Sequence, residues 1–162
     1  MDLKRHETPR ESGSDRLAAS SVVSVDEVNG FFETQLPFCA EMSITCESLE
    51  PGVGVTRFSY QDRWTRPGNI VNGGTLMALA DVAVYVAIFT RTGILPLTVT
   101  NELKMNFLRP AIGSDVLARA TLLKLGRRVA YATVDLFEEP DPGRLVAHAT
   151  ASYIIPDDND GR

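Results

Sequence analysis

Cysteine, histidine and tryptophan are scarce in this sequence, and positive charge does not accumulate. The 162 residues include two cysteines, two histidines and one tryptophan. Cys39 and Cys46 have no paired cysteine or histidine nearby, so no zinc-ligand spacing exists. A reduced pair is the plain reading, and a disulfide the lesser one. With only His6 and His148, a histidine-based metal cluster is excluded as an expectation. Lys and Arg number 16 against 21 Asp and Glu, a formal charge of −5. That balance argues against general binding to a nucleic-acid backbone, which needs a basic footprint. It leaves room for a small basic pocket that meets one phosphorylated ligand. The N-terminus is polar, with no apolar core segment of a leader, so a cytoplasmic protein is expected. The longest apolar run, Leu76–Phe89, is shorter than the ~20 residues of a membrane span, and no membrane partner is expected.

That run is the central feature of the chain. Residues 67–91 read PGNIVNGGTLMALADVAVYVAIFTR: a loop, a glycine pair, then a helix apolar on nearly every face. Such a helix is buried. Its only charge between Leu76 and Phe89 is Asp81. A carboxylate there is costly unless paired, hydrogen-bonded or protonated, so a buried Asp81 needs an explanation.

The rest of the chain arranges itself around this helix. Residues 1–21 are polar and charged and predict a disordered tail. Ser24 and Glu27 have capping-box spacing ahead of Val28, Phe31 and Phe32, which predicts a short helix ended by Pro37. Met42, Ile44 and Cys46 alternate with polar residues, Glu50-Pro51-Gly52 is a turn, and Val53, Val55 and Phe58 follow, so a hairpin is expected. Residues 61–71 form a loop, and the long helix runs from about Gly74 to Arg91, closed by Gly93. Four strands follow: Leu97 to about Pro110, Val116–Leu125, Val129–Glu138 and Leu145–Ile155. Residues 139–143, Glu-Pro-Asp-Pro-Gly, mark a turn, and 157–162 a polar tail. One domain over 22–156 results, of class α+β, with a long helix laid on an antiparallel sheet.

Several motifs in this order resemble the PaaI-like hotdog-fold acyl-CoA thioesterases. They are Gly73-Gly74 with the TLMALAD run to Asp81, the stretch Asn106 to Ala111, the turn Leu125-Gly126-Arg127, and Leu145-Val146-Ala147. The resemblance covers roughly Val22 to Ile155. It implies an antiparallel sheet of about six strands wrapped around one central helix, homodimers that make a continuous sheet, and dimers of dimers. It implies an acyl-CoA substrate, with coenzyme A part of the substrate and no separate cofactor or metal. It places the family's base or nucleophile on Asp81, its helix-terminal oxyanion donors on Gly73 and Gly74, and its hydroxyl helper on Thr100. Two positions depart. Asn72 stands where the family commonly has histidine, and Arg66 where it often has asparagine.

The chemistry explains why these residue types would serve. Thioester hydrolysis needs an oxygen nucleophile and a stabiliser of the developing oxyanion. Asp81 suits the first need. The first amides of a helix lack internal partners and carry partial positive charge, and glycine lets a carbonyl approach them. Gly74 and Asp81 are seven residues apart, roughly 10 Å along a helix. Both groups must lie about 3 Å from one carbon. Two antiparallel helices across a two-fold axis meet that requirement more easily than one, so a site shared between subunits is expected. Asn72 reads equally as an N-cap or as a stand-in for the family histidine. Arg109, Arg127 and Arg128, with Lys124, are candidates for the coenzyme A phosphates, because guanidinium forks suit them. Val84, Tyr85, Ile88, Phe89 and Trp64 are candidates for the acyl pocket. A non-catalytic acyl-CoA-binding protein is the alternative that Asn72 raises. A hydratase would want a histidine near the helix, and there is none.

Overall fold

Helix α1, Val25–Gln35, starts where the capping box predicts: Ser24 accepts from Glu27 N, and the Glu27 carboxylate accepts from Ser24 N at 2.7 Å. The computed structural model describes residues 20–139, 141 and 143–156. The expected tails at 1–21 and 157–162, and His6 with them, fall almost wholly outside these. Pro37 ends α1 as expected but also opens a second helix, α2, Pro37–Glu41, from its first position. Proline is at home there, because the N–H it lacks would have no helical partner. The extra turn displaces the first strand. Met42 becomes a helix cap and Ser43 takes a left-handed φ of 53°, so β1 is Ile44–Glu50 rather than starting at Met42.

β1 and β2, Val53–Phe58, form the expected hairpin. Residues 61–71 are more ordered than a plain loop. A single 3₁₀ turn, Asp62–Trp64, leads into a small hairpin of β3, Thr65–Arg66, and β4, Ile70–Val71. Val71 N then bonds to Ala111 O at 2.9 Å, which ties the entry of the central helix to the segment after the next strand.

Helix α3 spans Gly73–Thr92. It exceeds the apolar run at both ends, and at 20 residues it is long and apolar enough by length and composition to cross a membrane. Its burial has another cause: β5, Val99–Phe107, β6, Val116–Leu125, β7, Val129–Glu138, and β8, Leu145–Ile154, complete an antiparallel sheet of order β1-β2-β6-β7-β8-β5 around it. This is the hotdog architecture. The inner face is lined by small side chains, with Ala118, Ala120, Ala130, Ala132, Ala147, Ala149 and Ala151 all buried, so the helix lies close to the strands. At Gly54 the approach is closest. A Cβ there would stand 2.8 Å from Ala87 N, so only glycine fits without a shift.

Candidate active site

Asp81 faces the end of the sheet where β8 finishes and the antiparallel β5 begins. Two hydroxyls converge on its Oδ1: Tyr153 Oη donates at 2.5 Å and Thr100 Oγ1 at 2.8 Å. Tyr153 Oη also lies 2.7 Å from the Asp81 backbone carbonyl. The carboxylate is half-buried rather than fully buried, because the edge strand β5 leaves one side of it open. It opens into a cleft of about 240 Å³ walled by Leu36, Phe38, Val82, Tyr85, Pro96 and Val99.

The meeting of Thr100 with Asp81 depends on an irregularity. Thr100 pairs with Tyr153, but Glu102 pairs with Ser152, so Asn101 is an extra residue in β5. Such a bulge shifts the side-chain parity of the strand. Without it, Thr100 and Leu103 would point to opposite faces; with it, both face the helix.

Tyr153 is the residue that sequence reasoning missed. It is 2% exposed, and its ring lies roughly parallel to Tyr85 at 6.4 Å. Burial first, and the Asp81 charge second, push its phenol well above the usual range, so it stays protonated and donates. Its only signal in the sequence is a tyrosine among alanines and serines on a predicted strand. Tyr85, pushed up to about 12 by burial, also stays protonated and donates to Pro96 O at 2.8 Å.

The helix N-terminus forms a second, separate cleft. Asn72 is the N-cap: its Oδ1 accepts from Thr75 N at 2.9 Å and its Nδ2 donates to Trp64 O at 2.7 Å. This fixes the first turn and orients the side chain along the backbone. Gly74 is exposed. Gly73 lies under Phe107, where a Cβ would come within 3.1 Å of the ring. The cleft, of about 480 Å³, is lined by Arg66, Gly73, Leu76, Phe107, Leu108 and Arg109 among others. It shares no lining residue with the Asp81 cleft.

The three candidate arginines do not form one cluster within the chain. Arg127 and Arg128 lie on the β6–β7 turn, beside the Val129, Ile154 and Val99 ends of three strands. Arg109 follows the opposite end of β5 and donates to Leu145 O at 2.9 Å. Leu145 and Ile154 bound β8, so about 30 Å of strand separates the two groups. Of the candidate acyl-pocket residues, only Tyr85 lines the Asp81 cleft. Val84, Ile88 and Phe89 are sealed under the sheet, and Phe89 supports Tyr85 from behind with ring centroids 4.3 Å apart. Trp64 belongs to the helix-entry loop, with Arg63 over its ring. His148 lies on the outer sheet face against Asp135, 2.8 Å away. Cys39 and Cys46 are free and buried, which pushes both thiols up to about 12. No group of three His, Cys, Asp or Glu side chains that could hold a metal ion occurs among the described residues.

Known proteins share this fold. Residues 68–150, just over half the chain, match the model of the Thioesterase superfamily. The medium/long-chain acyl-CoA thioesterase YigI of Salmonella typhimurium is 26% identical over 79% of this chain and 91% of its own length. A crystal structure of a thioesterase-like protein from a Silicibacter species superposes with a TM-score of 0.77 at 34% identity, covering 85% of this chain and 94% of that one. A mutant of the phenylacetic acid degradation protein PaaI from Thermus thermophilus gives a TM-score of 0.65 at 30% identity, covering 74% of this chain and 99% of that one. The chain therefore belongs to the thioesterase superfamily, as a PaaI-like hotdog-fold thioester hydrolase.

Proposed function

We propose that the chain hydrolyses acyl-CoA thioesters at a site shared by two copies, Asp81 from one and the Gly73-Gly74 helix terminus from the other. The observation that carries this reading is the placing of the two clefts along one bare strand. Val99 and Thr100 border the Asp81 cleft, and Phe107 and Leu108 border the helix-terminus cleft. β5 is the sheet edge, and Val99 and Phe107 are 56% and 53% exposed. If two copies pair β5 against β5 antiparallel about a two-fold near Leu103, Val99 of one lies opposite Phe107 of the other. Each Asp81 cleft then adjoins the helix-terminus cleft of the second copy. The same operation brings Arg109 of the second copy toward the Arg127 and Arg128 end of the first. That would gather the cations a coenzyme A phosphate requires.

In this arrangement Asp81 acts in one of two ways. As base it takes a proton from a water whose oxygen attacks the thioester carbon, or its own carboxylate attacks and water then hydrolyses the acyl-aspartyl anhydride. The amides at Gly73 and Gly74 stabilise the oxyanion, the C–S bond breaks as the carbonyl re-forms, and coenzyme A leaves as the thiol with a proton that comes from the water. The acyl group lies against Val82, Tyr85, Pro96, Leu36 and Phe38. The name of YigI makes medium and long acyl chains the first substrates to try.

Thiol release from a panel of short, medium, long and aromatic acyl-CoAs tests the substrate class, with Asp81→Asn as control. Subunit mixing tests the shared site. Asp81→Asn and Gly73→Val are each expected to lose about 10²-fold or more of the activity. A mixed dimer keeps one site with both native halves, so activity returns on mixing. Inactivity of the mixture, with mixed dimers demonstrated, would sink the shared site.

A further inference from the structure

We propose that Tyr153 is a positioning residue that fixes the Asp81 carboxylate through Oδ1 and so makes Oδ2 the oxygen that reacts. The inference rests on the proposed role of Asp81 and goes beyond it. The donors are placed unequally. Oδ1 receives Tyr153 Oη at 2.5 Å and Thr100 Oγ1 at 2.8 Å, whereas no hydrogen bond from a described residue reaches Oδ2. An ionised carboxylate only accepts, so both hydroxyl protons are directed at Oδ1. Two donors on one oxygen fix the plane of the carboxylate, which in an exposed aspartate rotates freely. Fixing matters because a reacting oxygen must be held in near-attack geometry.

Tyr153 and Thr100 are not equivalent anchors. Thr100 is exposed, on the edge strand, next to the Asn101 bulge. Tyr153 is 2% exposed on β8, paired on both sides by β7 and β5, with its ring packed on Tyr85. Its second contact, to the Asp81 backbone carbonyl, references the carboxylate to the helix itself. The phenol therefore holds side chain and helix in one frame. Among the described residues, Asp81, Tyr85 and Tyr153 are the only titratable side chains that line the cleft, so no other charge of theirs competes for Oδ1. A buried tyrosine needs only one acceptor, and the backbone carbonyl would have satisfied it. The shorter contact to the carboxylate is what a purely structural tyrosine does not require.

The test is Tyr153→Phe, alone and combined with Asp81→Asn, assayed on the best acyl-CoA of the panel. Tyr153→Phe keeps the ring and removes one hydroxyl. The expected result is a fall in kcat of about tenfold to a hundredfold. KM is expected to stay within about twofold, since ground-state binding does not use the phenol. In the Asp81→Asn background the same change is expected to cost nothing further, because the group it positions is gone. A wild-type kcat in Tyr153→Phe, a loss confined to KM, or an equal loss in both backgrounds would overturn the inference and leave Asp81 standing. Inactivity of the wild type toward every acyl-CoA, or full activity of Asp81→Asn, would overturn the reading of the site and this inference with it. Should Tyr153→Phe fail to fold, proton NMR of the wild type decides. A downfield phenolic hydroxyl resonance that disappears in Asp81→Ala is expected, and its absence from the wild type overturns the inference.

Discussion

The two edges of the six-stranded sheet are finished in opposite ways. At β1 the edge is covered. α1 lies against it, and Asn29 imitates a neighbouring strand: its Oδ1 accepts from Cys46 N at 2.8 Å and its Nδ2 donates to Cys46 O at 3.1 Å. A bulge at Glu47 bends the strand further. At β5 nothing of the kind occurs among the described residues. Val99 and Phe107 are half-exposed there, with Leu97 and Leu108 just beyond either end. An uncovered apolar edge is a liability in a monomer. Both candidate half-sites border this edge and neither borders the other. The contrast marks β5 as the sheet edge left free to pair, as the proposed shared site requires, and β1 as the edge that the chain covers itself.

The largest expected effect tests the chemistry at the bare edge. Asp81→Asn should lower kcat for thioester hydrolysis by about 10²–10⁴-fold with the fold intact by circular dichroism. Activity near wild type would remove the reason to regard the β5 side as functional. Next is Val99→Asp, which puts a charge on the apolar edge. It should weaken self-association by about 2 kcal/mol or more, seen by sedimentation as a shift to monomer, with activity falling in parallel. An unchanged mass would break the comparison, because the bare edge would then not be the interface. The counterpart is Asn29→Ala at the covered edge. It leaves the Cys46 N–H and carbonyl without their partner and should cost about 1–3 kcal/mol in urea unfolding, with mass and activity per folded molecule unchanged.

The smallest effect concerns acid. Arg57 on β2 bonds Glu47 and Glu139 and bridges to Asp115. These hydrogen bonds hold the Glu47 and Glu139 carboxyls below their usual value of 4.5. A carboxylate whose pKa is depressed on folding stabilises the protein above its unfolded pKa and loses that contribution as pH falls through the folded one. Stability from this cluster is therefore complete above about pH 5 and declines below it. Arg57→Met should flatten the fall of Tm between about pH 5 and pH 3 without changing the self-association proposed for β5. Both carboxylates are largely exposed, so the effect is modest.

Much of the fold was legible in the sequence because it rests on local chemistry. The Ser24 capping box, the strands Val116–Leu125 and Val129–Glu138, and the turn between them are written in neighbouring residues. So is the long apolar helix, although its ends extend past the apolar run, where Asn72 and Gly93 cap it. Local pattern misled at Pro37, where a helix stop is equally a helix start, and at Met42, which the extra helical turn removed from the strand.

The candidate site was legible only as residue types. The glycine pair and Asp81 could be named, but which hydroxyls reach Asp81 depends on register between β5 and β8 and on one bulged residue, Asn101. Alternation along β5 alone would turn Thr100 away from the helix. It carries no information about Tyr153, which lies 72 positions from Asp81 in the chain. The acyl-pocket candidates show the same divide: hydrophobicity singles out Val84, Ile88 and Phe89, yet the closing of the sheet made them core and left Tyr85 in the cleft. By itself the sequence determined that a helix apolar on nearly every face, carrying one carboxylate, must be buried, and that period-two strands joined by short turns supply an antiparallel sheet for it to lie on. The wrapping of that sheet around the helix was implied only by the family resemblance. Only the tertiary structure decided which oxygen of Asp81 is held and which sheet edge stays bare, because strand register and packing are set by contacts between residues distant in sequence.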